Sequence, residues 1–192
     1  MSAFEFFFGF YGLILGLAVA EVVGGLAKAL RARGRMRLGL CTPLLALFVL
    51  LDLIQFWSDT WTRHQDIQIN AAVLTVALAV AAIYYFAASL VFPDRFEEGE
   101  TLDDYFDRHK RLVIGASLSA NLLGLFVLPL VAGQPEVLAG LGSPVAALFL
   151  AVWIAPMAAI CLVRNRRINA ALLALICLVY LVVTFAEAIF AG

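Results

Sequence analysis

Six long apolar runs dominate this 192-residue chain, at 6–27, 38–57, 69–92, 112–131, 145–163 and 168–189. A bilayer core about 30 Å thick needs roughly 20 helical residues to cross it, and each run has about that length. The runs predict an all-α polytopic integral membrane protein with six transmembrane helices in one bundle. Composition closes the other routes. The chain is 64% hydrophobic and 14% charged, against about 45–50% and about 25% in soluble domains. So much apolar surface excludes both a water-soluble fold and a disordered chain. The connections are short apart from 93–111, an acidic stretch, so no segment remains for a second domain.

Basic residues set the expected orientation, because cytoplasmic loops are enriched in Lys and Arg. Lys28, Arg31, Arg33, Arg35 and Arg37 follow the first run. Arg95, Arg108, Lys110 and Arg111 lie between the third and fourth runs, and Arg164, Arg166 and Arg167 between the fifth and sixth. Only Arg63 falls on the other side. Both termini are therefore expected on the non-cytoplasmic side of a bacterial inner membrane. Ala18-Val19-Ala20 has the look of a signal-peptide cleavage site, but Met1–Phe8 carries no basic residue and includes Glu5. The positive charges follow the apolar run, which reads as an uncleaved first helix.

The acidic stretch divides the chain into three runs and three runs, the topology of an inverted repeat. The halves share no residue pattern, and six helices without internal symmetry is the reading kept. Pro93 is expected to end the third helix. Thr101 is placed to cap a new one, with Asp103 and Asp104 favoured in its first turn by the helix dipole. Leu102, Tyr105 and Phe106 would share one face of a surface piece leading into the fourth run.

Three stretches carry a resemblance: Leu15–Arg33, Leu51–Trp61 with its Gln55-Phe56-Trp57, and Phe92–Arg111. Together they resemble an uncharacterised family of six-helix bacterial inner-membrane proteins. The resemblance implies a fold and a topology, and no substrate or catalytic residue.

Ionisable groups inside the apolar runs carry the functional reading, since each is costly in hydrocarbon and usually faces protein or water. Asp52, Glu21 and Asn121 fall within runs, with Gln55 on the Asp52 face. Asp59 and Glu187 belong near the outer mouth, and Glu5 at the interface. No intramembrane Lys or Arg neutralises them, which suits protons or small cations better than anions. Asp52 has two readings: a structural hydrogen bond to a neighbouring helix, or a group on an ion path. In either case it should be protonated against a polar neighbour such as Asn121, or ionised in a water-filled pocket. For Glu21 the competing reading is an ion pair with Lys28 or the first-loop arginines. Trp57 and Trp61 read as interfacial anchors.

Gly12, Gly16, Ala20 and Gly24 repeat every fourth residue and let another helix approach closely, within the chain or across an oligomer seam. Pro129, Pro144 and Pro156 are candidates for bends. Cys41, Cys161 and Cys177 lack metal-ligand spacing and read as buried thiols. His64 and His109 fall on opposite sides of the membrane, against a shared metal or haem. No phosphate loop, nucleophile elbow or zinc motif is present, and the net charge of −1 argues against nucleic acid. The expectation is a non-enzymatic channel or transporter for protons or cations, without a cofactor. The alternative is an accessory or assembly subunit of a larger membrane complex. Its partners are the lipid bilayer and either a second copy or another membrane protein.

Overall fold

The structure, a computed structural model, describes residues 3–33, 38–63, 69–95, 101–139 and 142–190. Six helices account for nearly all of it: α1 Ala3–Ala32, α2 Cys41–Arg63, α3 Ala71–Ser89, α4 Leu102–Leu122, α5 Pro144–Leu162 and α6 Arg166–Phe190. A π-helical turn, Leu123–Val127, and a last α-turn, Leu128–Val131, carry α4 onward; a one-turn helix spans Glu136–Ala139. Among the described residues there is no β-strand. All six helices are long and apolar enough to cross a membrane.

Local chemistry explains most of the boundaries. Asn70 caps α3 by accepting the Val73 N–H at 2.9 Å, and its own amide donates to the Val131 carbonyl at 3.2 Å, tying the start of α3 to the end of α4. α3 stops at Ser89, three residues before the expected limit at Phe92 and ahead of Pro93. Thr101 caps α4 as expected, and Asp104 completes a reciprocal capping box.

Within the stretch 93–111 the described residues after Thr101 are helical, as the expected cap implies, and reach further than a separate surface piece would. From Leu102 onward it is the first three turns of α4, continuous with the fourth apolar run. The cause is a buried stripe: Leu102, Phe106 and Lys110 recur every fourth residue and are all enclosed by the bundle. That stripe packs the piece into the bundle as part of α4, leaving Arg108 and Arg111 exposed on its outer side.

The prolines behave differently from one another. Pro144 occupies the first turn of α5, behind the Ser143 cap, where its fixed φ starts a helix and bends nothing. Pro156 stands inside α5. Pro129 directly follows the π-turn, in which the Leu128 N–H reaches back five residues to the Leu123 carbonyl. Proline offers no N–H and its ring crowds the preceding turn, so the helix widens by one residue ahead of it.

In the bundle α1 packs chiefly on α3, α2 on α6 and on α4, and α3 on α4, while α5 leans on α4 and α6. One core runs through it, from Phe7 and Tyr11 to Leu173 and Tyr180. The starts of α2, α4 and α6 meet at one end. There the Thr42 hydroxyl donates to the Leu102 carbonyl at 2.7 Å and the Cys41 N–H to Asp103 at 3.1 Å. Gly39, at φ +63°, turns into α2 directly against the Asp103 carboxylate; a side chain there would meet both the left-handed backbone and that carboxylate.

Candidate functional site

Asp52 stands at the middle of α2 and is 1% exposed. Its carboxylate is the point on which four helices converge. The Tyr180 hydroxyl of α6 donates to Oδ1 at 2.8 Å, and the Tyr84 hydroxyl of α3 donates to Oδ2 at 3.1 Å. The Asn121 amide of α4 spans both oxygens at 3.1 and 3.0 Å, and also donates to the Ser117 carbonyl one turn back at 2.9 Å. Trp153 on α5 then donates its indole N–H to the Tyr180 oxygen at 2.8 Å. A buried acid is thus surrounded by neutral donors, with no lysine or arginine among its partners in the described residues.

The packing seals this network on both sides. Phe48, one turn before Asp52, stacks on Tyr180 with ring centres 6.2 Å apart. Phe56, one turn after, meets the Tyr84 ring edge-on at 5.3 Å. Phe56 fits only because Gly124, in the π-turn of α4, has no side chain: an added Cβ would stand 2.5 Å from the ring. The irregular turn therefore supplies the gap that admits the aromatic cover, directly after the α4 turn that carries Asn121.

This arrangement fixes the directions of the hydrogen bonds. Tyr180 accepts from Trp153, so its own hydrogen is committed to Asp52 Oδ1. Among the described residues no donor reaches the Tyr84 hydroxyl, so that rotor can turn from donating to Oδ2 to accepting from it. The site can hold a carboxylate, or a carboxylic acid whose proton rests on Oδ2. It offers little to a metal cation, because the neighbours aim hydrogens at the acid, and a hard cation needs a shell of oxygens. Among the described residues, no three His, Cys, Asp or Glu side chains gather.

Of the residues expected from sequence, Asp52 and Asn121 are in direct contact, as the pairing with Asn121 anticipated. The acid itself is enclosed: Asp52 and Tyr84 are fully buried, and Asn121 is half-buried. Gln55 belongs to the periphery of the network: Thr184 donates to its side-chain oxygen at 3.2 Å and to the Tyr180 carbonyl at 2.9 Å. Glu21 is not joined to it. It is half-buried on α1; of the competing pairings with Lys28 or the first-loop arginines, those to Arg35 and Arg37 lie outside the described residues. Asp59 is half-buried near the far end of α2, and Glu5 is exposed on α1. Glu187 falls in the last turn of α6, where side chains lie outside the described residues; His64, Arg35 and Arg37 are outside them altogether.

The small-residue repeat of α1 also divides. Gly12 is pressed against the Trp57 ring, whereas a Cβ at Gly16 or Gly24 would meet no atom within 4 Å, and Gly16 and Ala20 are exposed. Within the chain the close approach is made by Gly12 and by Gly25, against Phe92. Gly25 is outside the four-residue register and meets Phe92, just beyond the end of α3.

Tyr84, Tyr180 and Trp153 are the site residues that sequence reasoning missed. The signal was their depth: a tyrosine hydroxyl in the middle of an apolar run needs a partner there, whereas interfacial aromatics face water. Comparison with known proteins finds no matching family model, no matching curated protein and no matching solved structure.

Proposed function

We propose that this chain is a six-span membrane protein that moves protons, with Asp52 as the group that binds and releases them. The single observation that carries the reading is a dry mid-helix carboxylate bonded only by neutral donors. A charge at that depth costs about 2.5–3.5 kcal/mol on insertion scales, and an apolar core would hold the same helices together without it. Metal cations, which the sequence left open beside protons, fit less well because the donors crowd out oxygen ligands. In the proton-loaded form the Oδ2–H donates to the Tyr84 oxygen, while Tyr180 and Asn121 hold the group in place. In the unloaded form Tyr84 turns its hydrogen back. The closed packing supports a carrier that opens to each side in turn, rather than a standing pore. The basic ends of the helices gather at one end of the bundle, which supports a cytoplasmic placement for that end, and both termini outside, in a bacterial inner membrane. The resemblance to six-helix bacterial inner-membrane proteins belongs to the same reading.

Purified protein in proteoliposomes loaded with a pH-sensitive dye tests it. Wild type should dissipate an imposed pH gradient faster than empty vesicles, with Asp52→Asn reduced to the empty-vesicle rate. No flux above empty vesicles, or wild-type flux from Asp52→Asn, removes the idea. Parallel Na⁺ and K⁺ gradients decide between a proton and a metal cation.

The accessory-subunit reading draws on α5, the least covered of the six helices, whose Val145, Leu148 and Val152 are all well exposed. Under it the chain is retained by another membrane protein in pull-downs from native membranes, and Asp52 only holds helices together. A protein that stays homogeneous without partners and moves protons counts against it.

A further inference from the structure

At the basic end of the bundle, the start of α4 and the α5–α6 turn enclose an open cleft of about 390 Å³, lined by Asp107, Arg108, Lys110, Arg111, Leu162 and Arg164 among others. We propose that this cleft binds the phosphate of an anionic phospholipid headgroup. Its cations are built in. Lys110 is 4% exposed and donates to the Val163 carbonyl at 2.6 Å, and Arg111 Nε donates to the Cys161 carbonyl at 2.8 Å. These carbonyls form the negative end of α5, which holds the two cations in place. Each bond uses one N–H. Lysine keeps two donors and arginine four.

Arg108 and Arg164 are exposed at the rim. The one carboxylate of the lining, Asp107, accepts from Arg166 Nε on its Oδ2 at 2.7 Å, while its Oδ1 has no hydrogen-bond partner and lies 3.7 Å from Lys110 Nζ. Against that single carboxylate the lining sets Arg108, Lys110, Arg111 and Arg164, an excess of positive charge with forked donors, the chemistry that receives a phosphate.

Depth separates a lipid from a free anion. Leu162 and Leu112 stand just on the apolar side of the cleft and are 75% and 53% exposed. Here both helices pass from apolar to charged sequence, the level of a headgroup. A soluble phosphate has no use for the two leucines, whereas acyl chains below a headgroup lie along them. Basic pockets between membrane helices take anionic headgroups in this manner.

The test uses the full chain in a neutral detergent, titrated with dioleoyl-phosphatidylglycerol, with dioleoyl-phosphatidylcholine and with inorganic phosphate. Thermal unfolding is followed by tryptophan fluorescence. Phosphatidylglycerol should raise the melting temperature of wild type, and the other two should not. Arg164→Gln should move the phosphatidylglycerol midpoint to about tenfold higher concentration, the loss of one charge-assisted hydrogen bond. Arg108→Gln/Arg164→Gln should weaken it further. Arg164→Lys should retain most of the effect, which guards against a folding defect in the glutamine variant. Arg167→Gln, a basic residue of the same turn that does not line the cleft, should titrate like wild type. Equal stabilisation by phosphatidylcholine overturns the proposal, as does equal stabilisation by inorganic phosphate or an unmoved midpoint in the double variant.

Discussion

Replacing Asp52 by leucine and by asparagine separates the two things the carboxylate does. Leucine is of similar size but accepts no hydrogen bond, so the Tyr84 and Tyr180 hydroxyls and the Asn121 amide lose their shared acceptor at once. At the membrane average of about 0.6 kcal/mol per interhelical bond the three sum to about 2 kcal/mol. If each of the three donors stays dry and unpaired at about 1–3 kcal/mol, the loss is about 3–9 kcal/mol, a large share of the usual 5–15 kcal/mol. The aromatic lids of Phe48 and Phe56 argue for the upper part of that range, because they keep water from replacing the lost acceptor. Asparagine keeps one oxygen, which Tyr180 and the Asn121 amide retain, and turns an N–H₂ toward the Tyr84 hydroxyl, whose rotor can accept it; only the second Asn121 contact, to Oδ2, is lost. It forfeits charge-assisted bonds, but no longer buries a charge, and the two changes oppose each other to within about 1 kcal/mol. Unfolding in mixed micelles, followed by tryptophan fluorescence, measures both variants. An Asp52→Leu protein as stable as wild type, or an Asp52→Asn protein as damaged as Asp52→Leu, would refute the account of a carboxylate held by three donors.

Three further outcomes follow from the same geometry. Tyr180→Phe should cost more than Tyr84→Phe by about 1–3 kcal/mol, because it also strands the Trp153 indole N–H; Trp153→Phe added to Tyr180→Phe should recover part of that difference in the same unfolding assay. Gly12→Ala should destabilise by about 1–3 kcal/mol through its clash with Trp57, while Gly16→Ala, in open space, should be neutral or stabilise by up to about 1 kcal/mol; equal effects at the two sites would show that Trp57 moves aside. Arg166→Gln should cost under about 1 kcal/mol despite losing both Asp104 and Asp107, because its side chain is 42% exposed, and the difference from wild type should shrink in high salt.

The six helices were legible because bilayer thickness imposes a length that composition alone reveals. The start of α4 was legible only in part. Thr101 and Asp104 announce a cap, yet the acidic residues around them mask the Leu102, Phe106 and Lys110 stripe, whose third member is a lysine that no hydrophobic count includes. Asp52 and Asn121 stood out because a polar group in an apolar run has no other business there. The partners from α3, α5 and α6 did not, since which faces meet depends on how helices rotate about their axes, and the runs of α3 and α5 are apolar all round. The α1 repeat misled for the same reason: four-residue spacing marks a face without saying what it meets. The one close approach it includes, Gly12, was selected by the bulk of Trp57 on α2.

The dry acid and the basic cleft both draw on α4, so their independence is open to test. Asn121 and Lys110 are eleven residues apart on that helix, about 16 Å along its axis at about 1.5 Å per residue. Charges exposed at the cleft are screened within about 10 Å at 0.1 M salt, and no hydrogen bond of the Asp52 network includes a residue of the cleft. Arg164→Gln should therefore leave proton flux per folded protein unchanged in phosphatidylcholine vesicles, while Asp52→Asn should leave the phosphatidylglycerol midpoint unchanged. The cross-measurement needs only the two variants and the two assays. If Arg164→Gln slows proton flux in vesicles that contain no anionic lipid, the two sites share a conformational step, and α4 with its π-turn is the element through which they are coupled. If neither variant crosses over, the headgroup acts as an anchor at one end of a bundle whose chemistry is confined to its middle.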